Sequence, residues 1–477
     1  MTVTETEKSQ QMPLLTLTAM VVGSMVGAGV FSLPRNFAQA TGVLGAIVAW
    51  VIAGVGMLML AFVFQTLAVR KPELDAGVYA YAKAGFGEFP GFFSAFGYWA
   101  SACVGNVSYW VLIKSTLGTA IPGLGEGNTV LAVAISALGV WAFHYVITRG
   151  VKEAAAINRI VTIAKLVPIL VFVVILAVTL KADVFSANFW GGTEPSAGAL
   201  FEQVRSTMLV TVFVFLGVEG ASVYSRYARK RTDVGRATVL GFLSVLALFA
   251  SVTLLSYGAL GKDDLGELRQ PSMMGVLESV VGTWGSVFIG LGLIISVLGA
   301  YLAWTLMAAE VLFVAAKDDD MPRFLKRENR QGVPIAALVM TSVLITAVLA
   351  VTVFSDDAFT FTLKLCSSLS LIPYLLAAGY ALRIGTGGED RERAGRRKEI
   401  AVAALAVVYT LFLIFAAGIE FLLLSFVIYA PGTVLFVMAR REQGRRVFSG
   451  PELVLFIVAV VLAVSGVIGL ATGLIVI

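Results

Sequence analysis

Apolar stretches of about 20 residues or more recur along almost the whole chain, and a stretch of that length can cross a lipid bilayer as a helix. Because backbone inside hydrocarbon must satisfy its own hydrogen bonds, we expect an all-α polytopic membrane protein. The composition agrees, since 14% of the residues are charged, against about 25% in an average soluble protein. The predicted spans are residues 14–34, 42–69, 86–118, 128–147, 157–180, 200–225, 234–259, 280–315, 334–354, 358–384, 399–417, 419–440 and 452–476.

The least certain boundary lies near Gly418, where two short spans adjoin, so twelve and thirteen spans both stay open. The last three spans are apolar and contain few internal polar groups, which suits a peripheral or interface position.

The basic residues fall mainly on one side of these spans. If the N-terminus is cytoplasmic, the connections on that side hold most of the 35 Lys and Arg, and the opposite connections are mostly acidic. This is the positive-inside distribution, and it predicts a cytoplasmic N-terminal tail over residues 1–13. The tail lacks the apolar core of a signal peptide. The net charge of +5 therefore reports topology, and no nucleic-acid partner is expected.

The cysteine and histidine content argues against a metal site or a catalytic centre. Cys103 and Cys366 both fall inside apolar stretches, so neither a disulfide framework nor a zinc cluster is expected. The single histidine, His144, cannot build a metal site alone. The spans contain no His-rich, Ser–His–Asp-like or metal-spaced set, so we expect no enzyme and no cofactor.

The first span contains three glycines within seven residues and ends at a proline. The stretch 23–34 reads GSMVGAGVFSLP. Glycine lowers the barrier to leaving helical geometry, and proline removes a backbone donor. Unwound backbone survives in a membrane only where protein or a cavity surrounds it. One interpretation is therefore a broken helix that binds a small ligand at mid-membrane. The other is a small-residue face that packs against a neighbouring helix.

Two charged residues lie inside apolar spans. Glu219 is flanked by Gly217 and Gly220 in the sixth span, and a buried carboxylate needs a partner or a proton. Lys165 lies about one and a half turns inside the fifth span. It is predicted to occupy an internal cavity, with snorkelling toward the membrane surface as the alternative.

Further polar or aromatic positions occur in the third, eighth and tenth spans. Ser101 and Asn106 lie about 140° apart on an ideal helix, so they flank a polar sector. Asn106 is a ligand candidate if that sector faces the broken helix, and otherwise it joins two helices. Trp304 lies well inside the eighth span, where its ring could hold a cation or simply pack in the core. Ser367 belongs to a polar stretch of the tenth span.

These irregular spans come in pairs separated by about 200 residues, or five spans, which predicts two halves of opposite orientation. We expect an N-terminal tail over 1–13, a first repeat over 14–180, a second repeat over 200–384 and C-terminal helices over 399–477. Such an inverted repeat, with discontinuous helices 1 and 6, is typical of alternating-access transporters.

The stretches 23–34, 217–222 (GVEGAS) and 370–374 (SLIPY) resemble the amino acid–polyamine–organocation superfamily. Within it, the chain is most similar to the basic amino acid/polyamine antiporters, in particular the branch of arginine–ornithine antiporters and lysine permeases. The resemblance covers roughly residues 10–445. It implies the LeuT-type fold of five plus five helices, with two or three helices added at the C-terminus.

The resemblance also implies roles for individual residues. The substrate carboxylate would bind at Ser24, Met25, Gly27, Ala28 and Gly29, and the α-amino group at the backbone around Phe213 and Leu216. Ser101, Asn106, Trp304 and Ser367 would line the side-chain pocket. Tyr98, Glu219 and Tyr374 would act as gates, and Lys165 would occupy the position of a sodium ion. Phe213 stands where arginine–agmatine relatives have a tryptophan, so weaker stacking on a guanidinium is expected.

The predicted function is exchange of cationic amino acids by alternating access, with arginine and ornithine as the expected pair. Proton-coupled lysine uptake through Lys165 or Glu219 is the alternative, and an ion channel is the hypothesis from another class. The predicted location is a bacterial inner membrane. The expected partners are cationic amino acids and the lipid bilayer, and a homodimer through the C-terminal helices stays open.

Overall fold

The computed structural model describes residues 14–74, 77–150, 154–192, 196–219, 231–387 and 395–476. The predicted tail over 1–13 lies outside these ranges. The α-helices are α1 Leu14–Met25, α2 Leu33–Ala40, α3 Val43–Arg70, α4 Val78–Phe86, α5 Glu88–Gly118, α6 Val130–Thr148, α7 Ala154–Thr179, α8 Ala182–Ala187, α9 Ala197–Phe215, α10 Arg231–Ser256, α11 Lys262–Glu267, α12 Ser272–Val281, α13 Thr283–Lys317, α14 Ile335–Val351, α15 Ala358–Thr386, α16 Arg396–Glu442 and α17 Gly450–Ala471. Short 3₁₀ helices cover Ala28–Ser32, Pro122–Leu124, Arg323–Lys326 and Thr352–Phe354.

The predicted all-α polytopic class is confirmed. In the described part of the chain, ten helices are long and apolar enough to cross a membrane, and the bent pair formed by α1 and the segment after it makes an eleventh. The predicted boundary at Gly418 is confirmed as well. Gly418 has non-helical dihedrals (φ 73°, ψ 168°) that divide α16 into two helices across a kink.

The centre of the bundle is α5, almost all of whose side chains are buried. It packs along α13 and α15, and it needs no lipid-facing apolar side because protein surrounds it. The shortened α1 packs along α10, and Gly241 of α10 permits close contact because a Cβ there would lie 2.7 Å from Val21 Cγ1. The long helices α5, α13 and α15 thus form a frame around the interrupted segments.

Ion pairs join the ends of several helices. On one side, Arg70 at the end of α3 pairs with Glu399 at 3.1 Å. On the same side, Arg440 near the end of α16 pairs with Glu88 of α5 at 2.7 Å. We call this the basic side, because it contains most of the connections rich in Lys and Arg.

Candidate functional site

The first interruption separates α1 from the 3₁₀ helix that follows it. α1 ends at Met25, and Gly27 is extended (φ −114°, ψ −158°) before the 3₁₀ helix begins at Ala28. The segments on the two sides of the break are bent by 54°. By their position, the last carbonyls of α1 and the first amides after the break lack partners within their own helices. The backbone here can therefore bind other groups.

The second interruption ends α9 at Phe215. Residues 216–219 form turns, and Gly217 has φ 100°, a conformation that side-chain-bearing residues rarely adopt. A Cβ at Gly217 would lie 2.4 Å from Ser24 O, so the missing side chain lets the two breaks touch. The predicted interruption of the sixth span is thus confirmed up to Glu219. The rest of its motif, residues 220–222, lies outside the described ranges.

A small cavity lies where the two breaks meet. Its lining combines backbone of both breaks with side chains of α5, α13 and α15. The lining residues are Ser24, Met25, Gly27, Ala28, Gly29, Ala102, Gly105, Tyr109, Phe213, Val214, Leu216, Trp304 and Cys366. The cavity measures about 20 Å³, enough for about one water molecule. An amino acid can enter only if the surrounding helices move apart.

Eight of the predicted binding residues line this cavity: Ser24, Met25, Gly27, Ala28, Gly29, Phe213, Leu216 and Trp304. Gly29 is essential to the close packing of the site, because a Cβ there would lie 2.7 Å from both Phe213 Cδ1 and Val214 Cγ1. The first break therefore presses directly against the last turn of α9.

On α5, the polar sector predicted between Ser101 and Asn106 does face the cavity, through three residues that were not among the predicted site residues. Ala102, Gly105 and Tyr109 line the cavity, and on an ideal helix all three lie within the sector that Ser101 and Asn106 bound. Their spacing of three and four residues is the signal in the sequence that could have identified them.

The other three predicted pocket residues hold neighbouring helices together and do not line the cavity. Ser101 Oγ donates to Cys366 O at 2.7 Å, and Ser367 Oγ donates to Leu209 O at 2.7 Å. Asn106 Nδ2 donates to Thr305 Oγ1 at 3.1 Å. Asn106 Oδ1 is buried without a hydrogen-bond partner among the described residues, so it is an acceptor that a ligand could use.

The predicted gate residues Tyr98, Glu219 and Tyr374 meet in one cluster. The Tyr98 hydroxyl donates to Glu219 Oε1 at 2.5 Å, and the Tyr374 hydroxyl donates to Oε2 at 2.8 Å. The amide of Gly217 also donates to Oε2, at 3.2 Å. Because α5 starts on the basic side, Tyr98 lies about one turn closer to that side than Ala102 does. This Glu219 cluster therefore covers the cavity on its basic side.

Lys165 reaches inward from α7 and is buried. Its Nζ donates to Gly23 O at 2.5 Å, in the last turn of α1. The side chain is internal, as predicted, and does not snorkel, but Lys165 is not among the residues that line the cavity. The ammonium binds a carbonyl that the end of the helix leaves without an amide partner.

On the opposite side of the cavity, a polar cluster joins the segment after the first break to other elements. Arg35 of α2 pairs with Asp357, just before α15, at 3.1 Å and with Glu126 at 3.8 Å. Gln270 Nε2 donates to Asn36 Oδ1 at 3.2 Å. The cavity is therefore covered on both sides in this conformation.

Comparison with known proteins identifies the family. The model of a family described as amino acid permease matches residues 13–430. The chain is 49% identical to the arginine/ornithine antiporter of Pseudomonas aeruginosa, over 98% of each chain. It is 39% identical to the L-lysine transport protein of Corynebacterium glutamicum, over 98% of this chain and 96% of the relative. It is 38% identical to the arginine/ornithine antiporter of Latilactobacillus sakei, over 99% and 100%. The chain therefore belongs to the amino acid permease family of the amino acid–polyamine–organocation superfamily, whose inverted-repeat fold interrupts the first and sixth spans.

Proposed function

We propose that the protein is a secondary antiporter that exchanges cationic amino acids by alternating access, with arginine and ornithine as the exchanged pair. The observation that carries the proposal is the contact of two interrupted helices at an enclosed cavity with an uncharged lining. Two relatives that align over nearly the whole chain are named arginine/ornithine antiporters, which supports the choice of substrates.

The zwitterionic head of an amino acid suits the backbone at the two breaks. Amides at the start of the 3₁₀ helix, near Ala28 and Gly29, would bind the carboxylate, as helix N-termini bind anions. Carbonyls at the end of α9, around Phe213 and Leu216, would bind the α-ammonium. These contacts are the same for every amino acid, so they do not select among side chains.

The cationic side chain would lie among neutral groups. Trp304 and Phe213 both line the cavity and offer aromatic faces to a guanidinium or ammonium. Asn106 Oδ1, which lacks a partner among the described residues, would accept a hydrogen bond from the same group. Glu219 contributes negative potential from the cluster that covers the cavity. Modest binding of this kind favours release as well as capture.

Purified protein in liposomes tests the exchange directly. Vesicles loaded with ornithine should take up labelled arginine, whereas vesicles without an internal amino acid should take up almost none. An imposed pH gradient should leave the rate unchanged. Uptake into empty vesicles that responds to the pH gradient would reject obligate exchange.

Proton-coupled lysine uptake is the second candidate. It is favoured by the similarity to a lysine transport protein and by two ionisable residues that are each buried at separate positions, Lys165 and Glu219. The same vesicles distinguish it, because lysine uptake would then need no internal substrate and would follow the proton gradient.

The assignment of Trp304 has its own test. Trp304→Leu should weaken arginine binding by about 2- to 30-fold, the range expected when a cation loses an aromatic face. Trp284→Leu is the matched control, since Trp284 is an exposed tryptophan on the same helix and lies outside the cavity lining. Unchanged affinity of Trp304→Leu for every cationic substrate would remove Trp304 from the site.

The placement in the cell is part of the same proposal. We place the protein in a bacterial inner membrane, with the N-terminus and the basic side in the cytoplasm, because positively charged connections are retained there. Transport would need no cofactor and no covalent chemistry. The exposed apolar faces of α16 and α17 are candidates for a homodimer contact, which the mass of the protein in mild detergent would test.

A further inference from the structure

A second cavity opens on the basic side of the bundle, away from the substrate site. Its volume is about 730 Å³, within the range of about 300–1,000 Å³ that is typical of small-molecule sites. Three helices form it, namely the end of α3, the first part of α10 and the start of α16. We call it the α3–α10–α16 cleft.

Each of the three helices presents charge at the outer end of the cleft and apolar groups deeper in the membrane. α3 runs from Phe62 to Arg70 as it approaches the basic side, a distance of about 12 Å. α10 and α16 run away from that side. In both, a basic residue comes first (Arg236 and Lys398) and an apolar lining residue follows about one turn later. The cleft is therefore cationic at the membrane surface and apolar below it.

The positive charge of the cleft is not balanced within it. Arg70 and Glu399 pair with each other at 3.1 Å. Arg236 and Lys398 are exposed, and neither forms an ion pair with another described residue. Two cationic side chains therefore remain available to a ligand at the mouth of the cleft.

The apolar part of the cleft opens sideways, toward the lipid. Leu240, one turn below Arg236, is 49% exposed and belongs to a helix long enough to cross the membrane. A soluble anion would contact only the charged mouth and would leave this apolar lining unused. A ligand with both an anionic group and a hydrocarbon chain would match the whole cleft.

We propose that the α3–α10–α16 cleft is a binding site for a phospholipid with a net negative headgroup. The headgroup phosphate contacts Arg236 and Lys398, and an acyl chain lies against Phe62, Leu240 and the apolar side chains beside them. Basic pockets between membrane helices on the cytoplasmic side have the chemistry that anionic headgroups require. The site is independent of the exchange reaction, so it stands or falls separately from the proposed substrates.

Lipid titration of the purified protein in neutral detergent tests this proposal, with bound lipid counted by native mass spectrometry. Phosphatidylglycerol should bind at one saturable site, and phosphatidylcholine should bind far more weakly. Each basic residue near an anionic lipid changes binding about 5-fold, so Arg236→Gln with Lys398→Gln should weaken phosphatidylglycerol binding about 30-fold. Leu240→Trp should also weaken it, with both charges intact, because the indole fills the apolar part.

The control removes the same charge elsewhere on the basic side. Arg441→Gln with Arg446→Gln changes two exposed residues outside the cleft and should leave phosphatidylglycerol binding unchanged. Equal weakening by both double variants would mean general attraction to charge and would overturn the site. Unchanged phosphatidylglycerol binding by Arg236→Gln with Lys398→Gln would also overturn the proposed site. Competition by glycerol 3-phosphate at the concentration of the lipid would show a site for a free anion instead.

Discussion

The side chain of Lys165 replaces a hydrogen bond that the interruption of α1 removes. In a continuous helix, the carbonyl of Gly23 would accept a hydrogen bond from the amide of residue 27, but Gly27 is extended. The Lys165 ammonium takes the place of that amide, at 2.5 Å. A positive charge at the end of a helix is also favoured by the helix dipole. The broken conformation of α1 thus depends on a residue of α7.

Lys165→Met should therefore slow arginine exchange by about 5- to 150-fold, because an unpaired buried carbonyl costs about 1–3 kcal/mol. The measurement is the initial rate in vesicles loaded with ornithine. Lys181→Met is the control, since Lys181 is exposed between α7 and α8. Normal exchange by Lys165→Met would show that the broken end of α1 does not need the ammonium.

At the scale of elements, the glycines near the two breaks differ in whether the backbone angle and the packing require them. Gly217 has positive φ, and a Cβ there would lie 2.4 Å from Ser24 O. Gly23 lies inside α1, and a Cβ there would meet no atom within 4 Å. The sequence does not distinguish the two glycines, because both stand in glycine-rich interruptions.

Gly217→Ala should abolish exchange and lower the yield of folded protein, because neither the backbone angle nor the contact with α1 tolerates a methyl group. Gly23→Ala should keep exchange near the wild-type rate, since alanine is favoured over glycine in a helix by about 1 kcal/mol. Transport assays and thermal unfolding of the two variants test this contrast. Loss of exchange in Gly23→Ala would mean that this glycine must leave the helix in another conformation.

A contact on the basic side joins α4 to the segment after α13. Lys83 Nζ lies 2.7 Å from Asp320 Oδ2, and the Asp320 side chain is 9% exposed. Burial raises the pKa of Asp320 to about 6, nearby Asp318 and Glu88 act in the same direction, and Lys83 opposes them. The folded protein therefore keeps a proton on Asp320 in a pH range where the unfolded chain has lost it.

This contact should make stability depend on pH. Because the pKa is higher in the folded state than its ordinary value of 3.8, the wild type should lose stability relative to Asp320→Asn as pH rises from about 4 to about 6. Above about pH 7 the difference should be constant. Thermal unfolding of both proteins across this range measures it. Asp263→Asn, at a 99% exposed side chain, should show no such trend, and a flat difference for Asp320→Asn would contradict the raised pKa.

The length of the apolar runs was sufficient to predict the helical spans, whereas glycine and proline marked where a helix could be interrupted without excluding a small-residue packing face. Long apolar runs predict spans whatever their neighbours are, and Gly418 marks a boundary because glycine readily leaves helical geometry. The partners of Glu219 could not be derived in this way, since Tyr98 and Tyr374 lie 121 and 155 residues away along the chain. The cavity-facing sector of α5, by contrast, was predictable from the angle of about 140° between Ser101 and Asn106 on an ideal helix. The partner of Ser101 at the edge of this sector could not be derived, since its hydrogen bond goes to Cys366 O on α15, 265 residues away along the chain.

At the scale of the whole molecule, exchange of two substrates that each carry one positive charge moves no net charge. A membrane potential should therefore leave the rate of arginine–ornithine exchange unchanged. If one positive charge moved alone, 100 mV would contribute about 2.3 kcal/mol, or about 50-fold in accumulation. Vesicles with a potassium diffusion potential of either sign make this comparison. A strong response to the sign of the potential would exclude one-for-one exchange of these substrates.

The small volume of the substrate cavity favours coupling between transport in one direction and transport in the other. The cavity measures only about 20 Å³, and both oxygens of Glu219 accept hydrogen bonds in the cluster beside it. A conformation that opens the cavity on its basic side would separate these groups, and contacts with a bound amino acid would offset that loss. We therefore expect the protein to interconvert slowly between its inward-facing and outward-facing conformations when no amino acid is bound. The one-for-one ratio of exchange would then follow from that slow step.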